Sequence, residues 1–370
     1  MGLDPPPTVV MARFDPDAQV VPMPNDVLRD KQTGLLALPT DGATLSDAEK
    51  EMRGWLNQLD GWPTTLSATL QFTAPIDAAT VDESSVQVWR WGDVPVELGA
   101  DVVPRALDHD GTTLTLTAPD AGWDRGATYV VIAKGGTEGL RGMSHEPVVA
   151  DAAFYFLRLQ QPLDDPMHQR AFPGATRDER MANAAKLEAI RQDLVPYFDF
   201  FESRGIPRAE VASLWRFTPT TRTEIAMDVT SQRMPLPFDL LLDRSTGRIA
   251  IPPNAKDSPV EAEGKRRLNE YDGWGLSSGL MFETTAPVGA VTDKDVELYE
   301  QTDPPTRIDV TLKVHTDQMH IEVTPKALPL KEGTRYGLVV RDSFVDAQGR
   351  PVIPMTIGQF MRTVAPIATA

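Results

Sequence analysis

The chain has no cysteine. That absence excludes disulfide bridges, thiolate metal sites and cysteine nucleophiles, and it leaves the redox compartment open. No run of about 18 apolar residues occurs either, so the sequence predicts no membrane-spanning helix. Positive charge is scarce: 36 Lys and Arg stand against 53 Asp and Glu, a formal net charge of −17. Such a balance disfavours nucleic-acid binding, which draws on basic side chains to neutralise phosphates, and disfavours anionic membrane surfaces for the same reason. The opening MGLDPPPTVV lacks the charged and apolar regions of a secretory signal. It reads as an added Met-Gly ahead of a Pro-rich tether, as when a chain begins just after a removed leader.

What is present is globular. A hydrophobic fraction of 41% with 7 Trp and 13 Phe is enough to bury real cores. The 32 Pro and 26 Gly imply many turns and lean toward β architecture. At 370 residues the chain predicts two domains.

An internal repeat organises the rest. MPNDVLRDKQTGLLALP (23–39) matches LPFDLLLDRSTGRIAIP (236–252) without a gap. Ser46 with Glu49, and Ser258 with Glu261, then form capping boxes that open short helices, the second with Pro259 at its first position. Both helices run into Asp-Gly-Trp, at Asp60, Gly61 and Trp62 and again at Asp272, Gly273 and Trp274. These are expected to be equivalent structural joints, with both glycines at positive φ and both tryptophans folded back onto a sandwich edge. The order that follows is shared as well: VDESSVQVW with VTDKDVELY, GTTLTLTAP with QMHIEVTP, GATYVVIA with GTRYGLVV, and FYFLRLQQP with GQFMRTVAP.

The repeat decides a motif. Gly275-Leu-Ser-Ser-Gly279 fits the G-x-S-x-G nucleophile elbow, with Ser277 as the nucleophile. Its counterpart in the first copy has no such pattern. An elbow also needs a strand entering and a helix leaving, whereas here the helix enters and the strand leaves. His315 and His320 fall outside on strands whose alternate residues face the core. The stretch therefore reads as a helix-to-strand turn using Gly for positive φ, and no catalytic residue is assigned. Asp108-His-Asp-Gly111 offers two carboxylates, too few for a calcium loop, and reads as a hairpin turn with Gly111 left-handed. No metal site and no cofactor is predicted.

After its helix each copy shows short strands; in the first they are expected at about 68–73, 85–91, 97–104, 112–117, 127–133 and 153–158. Short strands with alternating apolar residues and no long helices between them predict a sandwich. The expected fold is mainly β: two tandem Ig-like β-sandwich domains, each preceded by a short helix, with an α-helical insert between them. The boundaries are 1–162 for the first repeat and its tether, 163–230 for the connector and linking strand, and 231–370 for the second repeat. In the connector, Thr176 and Glu179 start a helix that Gly205 and Pro207 end, with a kink expected at Pro196. With Val86 and Val88 pointing inward, Trp89 and Trp91 share the outer face of their strand. Together with Trp62 they are candidate glycan-binding residues, but the amphipathic helix is the obvious cover for Trp89 and Trp91.

The stretches FDPDAQVVPMPNDVLRD, LNQLDGWPTT, QFTAPIDAATV and KLEAIRQDLVPYFDFFESRGIPRAEVASLWRFTPTT resemble the N-terminal region of the bacterial virulence-factor lipase family and related large lipoproteins of Gram-negative bacteria. The strand core resembles bacterial Ig-like domains. The resemblance covers nearly the whole chain. It implies export and a place at the cell surface, outer membrane or periplasm, with anchoring through a lipidated N-terminal cysteine that this chain lacks. In lipase members a following α/β-hydrolase domain supplies the serine, and nothing here corresponds to it. The leading expectation is a non-enzymatic, extracellular binding, adhesion or spacer module whose partner is a cell-envelope protein or glycan. The alternatives are the N-terminal portion of a lipase or esterase, and a glycan-binding module.

Overall fold

A computed structural model describes residues 9–16, 18–42, 45–165, 171–229, 231–254 and 257–366. Two compact units result: one runs to Thr221 and takes in the stretch from Thr363, and the other is Arg222–Arg362. Each is mainly β.

The first unit contains β1 (Met11–Ala12), α1 (Asp47–Leu56), β2 (Ala68–Gln71), β3 (Val86–Trp91), β4 (Val96–Leu98), β5 (Arg105–Leu107), β6 (Thr113–Leu116), β7 (Thr128–Lys134), β8 (Val149–Ala150), α2 (Ala152–Leu157), α3 (Arg177–Ser203) and β9 (Val211–Phe217). Antiparallel pairing gives a three-stranded sheet, β2-β6-β5, and a four-stranded one, β4-β3-β7-β9, while β1 and β8 pair in parallel. Leu70, Val86, Val88, Leu114, Leu116 and Val131 are buried from both sheets, as their alternation with polar neighbours requires.

The second unit repeats this order with β10 (Glu224–Ile225), α4 (Pro259–Leu268), β11 (Leu280–Glu283), β12 (Val296–Glu300), β13 (Thr306–Ile308), β14 (Val310–Val314), β15 (His320–Pro325), β16 (Tyr336–Val340), β17 (Ile353–Pro354) and α5 (Thr356–Phe360). Its sheets are β11-β15-β14 and β13-β12-β16, with β10 and β17 paired in parallel. Phe282, Val296, Leu298, Val310, Ile321 and Val323, drawn from both sheets, form one core. The duplication reaches the backbone: Met23-Pro24 and Leu236-Pro237 are both cis, and Asn57 and Asn269 make matching pairs of hydrogen bonds to Leu38 and Ile251. Because β10 matches β1, the second copy begins before residue 231.

All three capping boxes form, at Ser46, Thr176 and Ser258. Helix α3 continues through Pro196. It ends where Gly205, at φ +82°, lets the Gly205 and Ile206 amides donate to the Glu202 and Phe201 carbonyls, each at 3.0 Å. Gly111 is left-handed at φ +72°, in the turn between β5 and β6.

Two predicted strands are corrected. The span 97–104 divides, because the chain turns at Gly99, whose carbonyl accepts from the Val102 and Val103 amides. The span 153–158 is helix α2. There Phe154 and Leu157, three residues apart, are both buried, so a helical spacing won over the alternating one. Nor does the connector stand apart from the first copy: β9 is the fourth strand of that copy's sheet, and α3 lies on its outer face.

Candidate functional site

Residues singled out from the sequence meet in two places in the first unit, the outer face of β3 and the Asp60-Gly61-Trp62 joint. On β3, Trp89 and Trp91 lie under α3. The Trp89 ring meets Phe200 edge-on at 5.2 Å and Phe201 at 6.1 Å, and Trp91 meets Tyr197 at 4.6 Å and Phe200 at 5.1 Å. The Arg204 guanidinium stands over Trp89 at 5.0 Å. Trp89 is 6% exposed and Trp62 only 1%. A sugar platform needs open ring faces, and these three residues do not form one: the helix occupies the face of two, and the joint encloses the third.

Within α3, Glu188 and Arg191 form a buried ion pair with contacts of 2.7 Å. The Arg191 guanidinium holds the Glu188 carboxyl down at about 2, against the cost of burial. Glu188 also accepts from the Leu163 amide at 2.9 Å, and Arg191 donates to the Leu159 carbonyl at 3.2 Å, which fastens the chain after α2 to the helix.

The joint is built from α1, β9 and the segment that follows β9. The Trp62 amide donates to the Thr218 carbonyl at 2.9 Å, and the Thr220 amide donates to the Trp62 carbonyl at 2.7 Å. Asp60 accepts from the Thr220 hydroxyl at 2.5 Å, from the Thr221 amide at 3.0 Å and from the Thr221 hydroxyl. Burial pushes the Asp60 carboxyl up, but those donors outweigh it and hold the group below the usual carboxylate range. Asp26 accepts from the Thr218 amide at 3.0 Å and its hydroxyl at 2.7 Å; there burial dominates and the carboxyl is pushed up. Gly126 donates to the Pro219 carbonyl at 3.0 Å.

Two expectations for the joints are corrected. Neither Gly61 nor Gly273 has a positive φ. What Gly61 supplies is close approach: a Cβ there would lie 2.5 Å from the Thr218 carbonyl oxygen and 2.8 Å from Pro219 and Thr220 backbone atoms. The two joints are also not equivalent. Around Gly273 the same Cβ would meet nothing within 4 Å, Asp272 is exposed, and Trp274 is only half-buried.

Ser277 sits exposed in a short turn, and its flanking Gly275 and Gly279 have no positive φ, so the turn does not depend on left-handed glycine. His315 and His320 lie across the β14–β15 hairpin with rings 6.3 Å apart. His320 faces Asp317 at 2.5 Å, and the Met319 amide together with that imidazole holds the Asp317 carboxyl at about 2. Among the described residues no group of three or more His, Asp or Glu is placed to hold a metal ion. No helix among them is long and apolar enough to cross a membrane.

Asp26, Thr218, Thr220, Thr221 and Gly126 are the residues that sequence reasoning did not single out. For two of them a signal existed. Asp26 recurs as Asp239 and Gly126 as Gly333, both inside matched blocks of the repeat.

No protein-family model and no curated protein matches the chain. Among solved structures, similarity is found to surface layer protein SbsC, domains 1–6, at 20% identity over 23% of this chain and 11% of that one, with a TM-score of 0.18. The crystal structure of the N-terminal part of the bacterial S-layer protein SbsC gives 19% identity over 29% of this chain and 27% of that one, with a TM-score of 0.19. The chain thus spans about a quarter or less of those proteins, and at such TM-scores the likeness carries no argument.

Proposed function

We propose that the protein is a non-enzymatic, surface-exposed module of the bacterial cell envelope, built from two Ig-like β units, that binds an envelope protein or glycan. The duplicated β unit carries this reading, together with the resemblance of its motifs to the non-catalytic N-terminal region of virulence-factor lipases and related lipoproteins. A rigid unit with internal ties such as Asp60 to Thr220 and Thr221 is suited to presenting a surface. Purified chain incubated with outer-membrane and peptidoglycan fractions of a Gram-negative bacterium is expected to co-sediment saturably with one of them. The chain should also stay unlabelled by a fluorophosphonate probe. Stoichiometric labelling at Ser277 with ester turnover would overturn the reading in favour of a hydrolase.

A further inference from the structure

In the first unit a single stretch, Val211–Thr221, supplies the partners of the Asp60-Gly61-Trp62 joint and of Asp26. As β9 it hydrogen-bonds along the edge of β7, pairing Tyr129 with Phe217, Val131 with Trp215 and Ala133 with Ser213. Its continuation satisfies Asp26 and Asp60, backs onto Gly61, and accepts from Gly126.

The second unit keeps the receiving residues. Asp239 matches Asp26, Asp272 matches Asp60, Gly273 matches Gly61, Trp274 matches Trp62, and Gly333 matches Gly126 with the same left-handed φ, +62° against +69°. Asp239 and Asp272 are exposed. Neither Gly273 nor Gly333 would bring a Cβ within 4 Å of anything, whereas at Gly126 the Thr221 methyl stands at 3.1 Å.

Strand β16 matches β7. It pairs with β12 on one side, and among the described residues no strand lies on the other. The Gln301 amide donates to the Arg335 carbonyl and the Arg341 amide to the Asp295 carbonyl, so the odd-numbered residues of β16 bond β12. Alternation then turns the amides and carbonyls of Tyr336, Leu338 and Val340 to the open edge. Their counterparts in β7 are Tyr129, Val131 and Ala133, the residues whose pairing with β9 is given above. These side chains also cap the second core and are only half-buried, while their counterparts are fully buried.

We propose that the second unit is a receptor for an extended strand of a partner polypeptide, added antiparallel to β16, with apolar residues at alternate positions followed by a Thr-Pro-Thr-Thr tail. The apolar residues would cover Tyr336, Leu338 and Val340. The tail's hydroxyls and amides would donate to Asp239 and Asp272, with its backbone against Gly273 and Gly333. This is recognition by strand addition, in which the ladder supplies affinity and the flanking contacts supply specificity. A second copy pairing through its own β16 about a two-fold centred on Leu338 is disfavoured, because that register sets Arg335 opposite Arg341 twice, and like charges directly opposite repel.

The proposal rests on the reading of the chain as a binding module, and its test separates the two. The probe is a fluorescein-labelled peptide of residues 211–221, VASLWRFTPTT, titrated against the full chain with anisotropy and backbone amide exchange as readouts. Saturable binding with new protection at Tyr336–Val340 is expected. Asp272→Asn, Asp239→Asn, and a peptide with its three threonines replaced by valine should each weaken binding at least about tenfold, because the first two take the charge from the acceptor and the third removes the hydroxyl donors. Both aspartates are exposed, so these variants should fold as the parent does. Absence of saturable binding, protection confined to Thr128–Lys134 through displacement of the chain's own β9, or binding indifferent to all three changes would overturn the proposal. Those results would leave envelope co-sedimentation untouched. Loss of co-sedimentation with peptide binding intact would instead sink the broader reading alone.

Discussion

Asp60-Gly61-Trp62 and Asp272-Gly273-Trp274 are the same three residues leaving the same kind of capped helix, yet they live in different surroundings. The first triplet is closed over by the chain that follows β9, and its neighbour Leu59 is 1% exposed. In the second, the matching residue Tyr271 is 60% exposed, and α4 has no buried residue at all. An identical local sequence therefore fixes the helix end and the turn, but not the burial. Burial is decided by whether another strand arrives. One triplet is a joint of the core; the other is a joint awaiting its partner.

The largest expected difference lies in the tryptophans. Trp62→Ala should cost about 3–5 kcal/mol in the stability of the first unit, the usual range for emptying a fully enclosed aromatic site. Trp274→Ala should cost about 1 kcal/mol in the second, in line with ordinary substitutions outside a packed core. Two transitions followed separately in denaturant would check this. Equal costs would erase the distinction between the joints.

The aspartates differ next. Asp60→Asn leaves Thr220 and Thr221 with a weaker acceptor and should cost about 1–3 kcal/mol, whereas Asp272→Asn should stay within about 0.5 kcal/mol. The first effect carries a pH signature. Because the folded-state carboxyl of Asp60 lies below its unfolded value, its contribution is fully present above about pH 4. It is lost as pH falls through the lowered folded value. The gap between Asp60→Asn and the parent should therefore narrow below about pH 4, and a gap that widens on acidification would contradict the assignment.

How much of this could be read from the sequence depends on how local each cause is. The capping boxes at Ser46, Thr176 and Ser258 were legible because the donor and acceptor lie three residues apart. The cover over Trp89 and Trp91 was legible because an amphipathic helix and an aromatic strand face each demand a partner. The asymmetry of the joints was not, since it arises from Thr218–Thr221, about 160 residues from Asp60 along the chain. The span 153–158 reads as a strand for a similar reason: its helix is held by Phe154 packing against Phe14 at 5.6 Å and Phe156 against Phe172 at 4.9 Å. Those are tertiary partners that no short window contains.

The glycines give the sharpest probe of the comparison, because their effect changes sign between the copies. Gly61→Ala inserts a methyl group where Thr218, Pro219 and Thr220 already stand within 2.5–2.8 Å, all of them backbone atoms that cannot swing aside. The strain should cost about 1–3 kcal/mol, as overpacking does. Gly273→Ala meets open space, and Gly273 has no positive φ that a side chain would oppose. Replacing glycine there restricts the unfolded chain without straining the folded one, so the second unit should gain about 0.4–1 kcal/mol. The same methyl group would then obstruct a strand docked as Thr218–Thr220 dock on Gly61. Gly273→Ala should therefore stabilise the free protein while weakening its hold on the 211–221 peptide. A variant that is more stable and binds the peptide unchanged would show that the second joint is open for some reason other than reception.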